Sequence, residues 1–216
     1  MTVLLVRHGR STSNTAGTLA GRTPGVGLDE KGVEQAQELV QRLAGIAELT
    51  AIVRSPLQRC AETVEPLLAA RGLLDVVDDR LIEVDYGDWS GREIKDLVME
   101  PLWKVVQRQP SAAVFPGGEG LAQVQARAVA AIRELDAVHG ADGKTWVACT
   151  HGDVIKAVLA DALGTHLDGF QRIVADPASI SVVRYSADRP YVHGVNCAAL
   201  PGIPAKPPET VGGSRE

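Results

Sequence analysis

VLLVRHGRSTSN, residues 3–14, decides how the rest of the chain is read. Its first four residues are apolar with no polar alternation, the pattern of a strand buried on both faces, as in a parallel sheet. The run stops at Arg7, His8 and Gly9 and continues in small polar residues as far as Asn14. A cation, an imidazole and a glycine make a poor generic loop. At the end of a buried strand they suit a site.

Working outward, residues 51–53 and 146–149 are further apolar runs of the same kind, and 180–185 reads as a fourth strand. Between them lie helical patterns. Val33, Ala36, Val40 and Leu43 share one face after a capping Asp29, and Leu121, Val124, Ala128, Ile132 and Leu135 repeat the spacing. Ser55 and Pro56 have the chemistry of an N-cap and first helical residue, opening a helix that ends near Gly72 and is kinked or broken at Pro66. Strands alternating with helices predict an α/β fold, a three-layer sandwich with a mostly parallel central sheet and helices on both faces. Residues 92–115 interrupt the alternation with the short helical patterns EIKDLVM and LWKVVQR, expected to form a small helical cap. The expected organisation is one domain over 1–200 with that cap as an insert. Residues 201–216, with four prolines, three glycines and little to bury, are expected to be a disordered tail.

Composition sets the limits. The 216 residues are 45% hydrophobic and 23% charged, enough for one sizeable core. A net charge of -5 offers no general attraction to nucleic acid or to an anionic membrane, so an anion must be captured by a local basic cluster. No apolar run approaches the roughly 20 residues of a membrane span. Cys60, Cys149 and Cys197 are odd in number and widely spaced, which fits reduced thiols and a soluble cytoplasmic protein better than a disulfide framework. The five histidines show no HxxxH or HxH spacing, so neither a zinc site nor any other cofactor is expected.

In open α/β sheets, ligands sit at the carboxyl ends of strands. Three such ends carry chemistry: Arg7-His8-Gly9; Arg54-Ser55-Pro56, with Arg59 shortly after; and Thr150-His151-Gly152. Taken alone, each has an ordinary structural reading. Together they place two imidazoles and the arginines Arg7 and Arg59 on one rim. Glycine after each histidine lets backbone amides approach a ligand, and a helix starting near Asp153 would turn its N-terminal N–H groups toward the same place, with Gly152 at its tip. Two guanidinium groups with oxygen-gripping geometry make phosphate the natural guest. An imidazole among cations has a lowered pKa and keeps a free lone pair, so His8 reads as a nucleophile toward phosphorus.

VRHGRSTSN, RSPLQRCAET, LIEVDYGDWSG, FPGGEG and CTHGD, in this order, resemble the histidine phosphatase superfamily, the branch of cofactor-dependent phosphoglycerate mutases and many small phosphatases. The resemblance runs from Val3 to about Tyr185 and implies an α/β sandwich with a helical cap. It implies that His8 becomes phosphohistidine, that Arg7, Arg59 and His151 hold the phosphoryl oxygens with Asn14 as a further ligand, and that Glu83 is the general acid and base. Composition does not separate Glu83 from its neighbours Asp85 and Asp88; the resemblance selects Glu83 by its place after Leu81 and before Gly87-Asp88-Trp89. Trp89 itself reads as a packing residue.

Three positions depart from the family pattern. Arg10 adds a cation that would touch a second substrate anion or else lie on the surface, Gly120 replaces a serine, and Asp153 would cap the next helix and raise the pKa of His151, or repel a second anion. With only 24 residues between Gly91 and Pro116, the insert is short for a mutase. The expected function is hydrolysis of a small phosphorylated metabolite, with phosphoglycerate mutase as the alternative and a non-catalytic phosphate-binding module a distant third. No nucleic-acid or membrane partner is expected, and a homodimer is left open.

Overall fold

The computed structural model describes residues 1–200; the expected tail lies outside the described residues. Six strands form one sheet: β1 (Thr2–Arg7), β2 (Leu49–Arg54), β3 (Asp75–Val77), β4 (Thr145–Thr150), β5 (Ile180–Tyr185) and β6 (Pro190–Cys197), in the order β3-β2-β4-β1-β5-β6. The pairs β3–β2, β2–β4 and β4–β1 are parallel, whereas β5 runs antiparallel to both β1 and β6. The mostly parallel sheet is therefore present, with two edge strands, β3 and β6, that the apolar pattern did not announce. β3 is three residues long with Val76 and Val77 largely exposed, and β6 is interrupted by His193, Gly194 and Asn196.

Why β1 lacks alternation is visible in its packing. Val3 and Leu5 join one core, Leu4 and Val6 the other, and all four are fully buried. On the Leu4 side lie α2 (Glu30–Arg42) and α3 (Gln58–Arg71), through Leu39, Cys60, Val64 and Leu67; on the Val3 side lie α6 (Leu121–His139) and α7 (Gly152–Ala162). Chain leaving β1 goes to one face and chain leaving β4 to the other. These adjacent strands therefore open a crevice at their carboxyl ends, the switch point of the sheet.

Local details depart from the sequence expectation. Asp29 caps α2, its carboxylate accepting the Gly32 N–H at 2.8 Å, but the buried stripe runs through Gly32, Ala36, Leu39 and Leu43 and leaves Val33 half exposed. The cause is close approach: a Cβ on Gly32 would lie 2.0 Å from the Arg10 carbonyl oxygen, so the first turn of α2 faces the loop after β1 with its glycine. Ser55 and Pro56 do not open α3. The helix starts at Gln58, and Pro66 sits inside it without ending it. Burial of Cys60, Val64 and Leu67 against the sheet outweighs the one lost backbone hydrogen bond.

Residues 92–115 carry α4 (Ile94–Leu97), α5 (Pro101–Arg108) and a 3₁₀ turn at Pro110–Ala112. They are tied to the loop after α1 (Thr12–Ala16) by backbone bonds from Leu19 N–H to Arg92 O and from Ile94 N–H to Gly17 O. Trp89 is buried beneath them, edge-on to Phe115 and stacked near Trp103, in keeping with its reading as a packing residue.

Candidate active site

Sheet register brings the three strand ends together. Arg7 stands opposite Thr150 and Arg54 opposite Cys149, and the ladder extends one step further: His8 N–H donates to Thr150 O at 2.9 Å and Ser55 N–H to Cys149 O at 2.9 Å. His8 and Gly152, past the ends of β1 and β4, together with Arg59 from the first turn of α3, border a cavity of about 430 Å³. Arg7, His8, Asn14, Arg59, Glu83 and Gly152 line it, and the rings of His8 and His151 lie 5.3 Å apart.

His8 is buried, with Nδ1 2.7 Å from the Gly9 carbonyl oxygen. A carbonyl only accepts, so Nδ1 carries the proton and Nε2 the lone pair. Arg59 Nε donates to that lone pair at 3.2 Å. Burial, then the guanidinium groups of Arg59 and Arg7, hold His8 well below the usual imidazole pKa. The Gly9 N–H is fixed in turn by Thr63 Oγ1 at 2.9 Å.

Arg59 is among the largest fully buried side chains. Its Nη2 donates to Gly21 O at 2.9 Å and to His151 Nδ1 at 3.2 Å. His151 Nδ1 is therefore an acceptor, and its protonated Nε2 donates to Ser55 Oγ at 2.7 Å. Burial, then Arg59 and His8, lower the pKa of His151, opposite to the rise expected from Asp153, so it is neutral. Arg7 Nη1 donates to Ala175 O at 2.7 Å. Among the described residues, Arg7 Nε and Arg59 Nη1 are buried N–H donors without a protein acceptor. A buried charged donor left unpaired is costly unless a ligand takes it.

Glu83 is buried at the cavity wall, with Oε1 accepting the Val84 N–H at 2.9 Å and Oε2 3.9 Å from His151 Nδ1. Burial, reinforced by the charge of Asp153, pushes its pKa up to about 7. Its backbone is clamped: Arg22 Nε and Arg127 Nη2 both donate to Glu83 O, at 2.9 and 3.2 Å, and Glu119 holds both guanidinium groups. The loop beneath is packed backbone to backbone, with Asp88 N–H on Pro116 O and Glu119 N–H on Asp85 O. Gly87, at φ +50°, has the Pro116 oxygen 2.0 Å from where its Cβ would be.

Other expected residues fall differently. Asn14 lines the cavity with Oδ1 taken up by the N–H and hydroxyl of Ser11, which leaves its NH₂ end as the donor on offer. Arg10 is exposed, pairs with Asp29 at 2.6 Å and is not among the lining residues. Arg54 turns to Asp75. Asp153 caps nothing: α7 begins after His151 without a side-chain cap, and Asp153 accepts from the Tyr86 hydroxyl at 2.8 Å and raises the pKa of Glu83, not that of His151. Ser55 was read only as a helix cap at a strand end, and Thr63, Arg22, Arg127 and Glu119 were not singled out. The signal for three of them lay in the quoted blocks RSPLQRCAET and FPGGEG; Arg22 and Arg127 had none. Among the described residues, no group of three or more His, Cys, Asp and Glu side chains is placed to hold a metal ion.

The chain is 32% identical over 197 residues to phosphoserine phosphatase 1 of Hydrogenobacter thermophilus, covering 90% of this chain and 91% of the relative. It is 31% identical over 186 residues to the probable phosphoglycerate mutase GpmB of Proteus mirabilis, covering 85% and 84%. A solved mycobacterial glucosyl-3-phosphoglycerate phosphatase in complex with VO₃ superimposes with a TM-score of 0.82 at 26% identity, covering 91% of this chain and 99% of that one. With the model of the histidine phosphatase superfamily (branch 1) matching residues 3–198, the chain belongs to that family.

Proposed function

We propose that the protein is a phosphomonoesterase acting on a small phosphorylated metabolite through a phosphohistidine at His8. The observation that carries this reading is the pair of buried, unsatisfied guanidinium donors, Arg7 Nε and Arg59 Nη1, flanking an imidazole whose other nitrogen is locked as N–H by Gly9. A phosphoryl dianion supplies acceptors for both donors, draws the Arg59 N–H off the Nε2 lone pair and favours protonation of His151, which then donates to a phosphoryl oxygen. His8 Nε2 attacks phosphorus, the P–N bond forms and the P–O bond to the alcohol breaks. Glu83, protonated near neutral pH, gives its proton to the departing oxygen. Water then attacks phosphorus, Glu83 takes the water's proton, and the P–N bond breaks to release phosphate. Asn14 and the N-terminal amides of α7 at Gly152 complete the anion site. Arg10, tied to Asp29, stays outside it.

The names of the relatives support hydrolysis of carboxylate-bearing and other small phosphoesters, and the vanadate complex fits a five-coordinate phosphorus site. No helix among the described residues is long and apolar enough to cross a membrane. A cytoplasmic setting is supported by the thiols of Cys60, Cys149 and Cys197, which are unpaired.

Brief reaction with p-nitrophenyl phosphate followed by quenching in base is expected to leave one acid-labile phosphate on His8, absent in His8→Ala and reduced in Arg59→Ala. Phosphate on a serine or aspartate would overturn the mechanism. Parallel assays on phosphoglycerates with and without a bisphosphoglycerate primer separate hydrolysis from mutase activity.

A further inference from the structure

Beyond the phosphate end, the cavity contains a second charged pair, which the chemistry above uses only through the effect of the Asp153 charge on Glu83. Asp153 and Lys156 both line it, three residues apart on α7, with side chains 22% and 18% exposed. Lys156 Nζ lies 3.3 Å from Asp153 Oδ1, donates to Gln171 Oε1 at 2.9 Å and rests 4.6 Å above the centre of the Phe170 ring. The other Asp153 oxygen is held by Tyr86. Both charges are thus fixed in orientation by neutral groups. Leu19, Ile94, Ile173 and Val174 make much of the remaining outer wall apolar, with Thr18 beside them.

This end differs from the phosphate end in its charge balance. There, two guanidinium groups, Arg7 and Arg59, face neutral imidazoles and one carboxyl group whose pKa is raised to about 7, so the inner half is net positive even when Glu83 is ionised. The outer half, with one anion and one cation, is net neutral. Lys156 lies four residues beyond Gly152, one helical turn or about 6 Å along the axis from the anion-binding tip of α7. A carboxylate separated from a phosphate by a two-carbon spacer has about that reach.

We propose that Asp153 and Lys156 form a subsite that reads the alcohol end of the substrate, and that this substrate is the phosphate monoester of a small hydroxy-amino acid, its carboxylate on Lys156 and its ammonium on Asp153. The proposal rests on the phosphomonoesterase reading and deepens it. A zwitterion exchanges the Asp153–Lys156 contact for two contacts of the same sign and leaves no charge unmatched. A carboxylate without an ammonium would draw Lys156 away and set a second anion beside Asp153. A sugar phosphate would set several hydroxyls against Leu19, Ile94, Ile173 and Val174, with few polar partners to receive them.

Four substrates isolate each charge. O-phosphoserine carries both, 3-phosphoglycerate replaces the ammonium by a hydroxyl, O-phosphoethanolamine lacks the carboxylate, and p-nitrophenyl phosphate lacks both. The protein is expected to prefer O-phosphoserine to 3-phosphoglycerate and to O-phosphoethanolamine by about tenfold or more in kcat/KM, the scale of one charged hydrogen bond. Lys156→Met, which keeps the packing on Phe170, is expected to lower the ratio of O-phosphoserine to O-phosphoethanolamine about ten- to a hundredfold, mainly through KM, with Lys156→Arg restoring part of it. Asp153→Asn is expected to collapse the preference for O-phosphoserine over 3-phosphoglycerate. Ratios within one variant cancel the effect of Asp153 on Glu83. The same ratios are read as dissociation constants on His8→Ala by calorimetry, which tests the subsite even without turnover. Equal losses on all four substrates in Lys156→Met, or 3-phosphoglycerate preferred by the unaltered protein, overturn the proposal. Absence of turnover on p-nitrophenyl phosphate would instead count against the phosphatase reading.

Discussion

A single carboxyl group shows how the site sets chemistry against stability. Glu83 has a pKa near 7 in the folded chain against 4.5 when free, because burial and Asp153 both disfavour its charge. Between those values the unfolded chain gives up this proton while the folded chain keeps it. This group's contribution to stability therefore falls as pH rises from about 4.5 and levels off above about 7, at a cost on the order of 3 kcal/mol. Glu83→Gln removes the titration and keeps an oxygen for the Val84 N–H. It is expected to match the unaltered protein in urea midpoint near pH 4.5 and to exceed it by on the order of 3 kcal/mol at pH 8. The same substitution should lower turnover of an alkyl phosphate roughly 10²–10⁴-fold. With a nitrophenolate leaving group the first step needs no proton, so nitrophenol should appear as a burst followed by slow turnover. Urea titrations across pH and stopped-flow absorbance check the two halves; stability curves that stay parallel at every pH would remove Glu83 from the buried, proton-holding state described here.

At the scale of elements, the loop carrying Glu83 is held by another loop rather than by a helix or strand. Gly87 and Gly118 allow the two backbones to touch: a Cβ on Gly118 would meet the Asp85 oxygen at 2.2 Å. Gly87→Ala adds a clash with Pro116 O to a positive φ and is expected to cost about 3 kcal/mol, together with a fall in kcat as Glu83 shifts away from the phosphoryl group. Chemical denaturation and steady-state kinetics report the two effects; a neutral Gly87→Ala would mean that the loops separate freely. This dependence also explains what could be read from the chain beforehand. Strands β1, β2 and β4 were legible because burial on both faces leaves no polar residue in the run, and α6 because its buried stripe is nearly ideal. The start of α3 was misread because Ser55, which looks like a cap by local chemistry, is recruited by His151 from 96 residues away. Strands β3 and β6 were invisible, since an exposed edge places no demand on side-chain hydrophobicity.

For the whole molecule, the sheet explains why five separated blocks had to be read together. His8 and His151 follow adjacent strands, and Arg59 reaches them across the switch point from the first turn of α3; each block alone is a short run of ordinary residues. Arg22 and Arg127 escaped notice because their work, holding the Glu83 carbonyl, exists only once the chain has closed on itself. The same closure governs how the protein meets reagents that are not its substrate. The one basic nitrogen of His8 is engaged by the Arg59 N–H, inside a buried wall. A small acylating reagent such as diethyl pyrocarbonate carries no dianion to draw that guanidinium aside. Exposed His166 should therefore be acylated well before His8 when modification is followed by peptide mass spectrometry. The nucleophile is sheltered until an anion arrives, so the protein should survive electrophilic stress that an open imidazole would not.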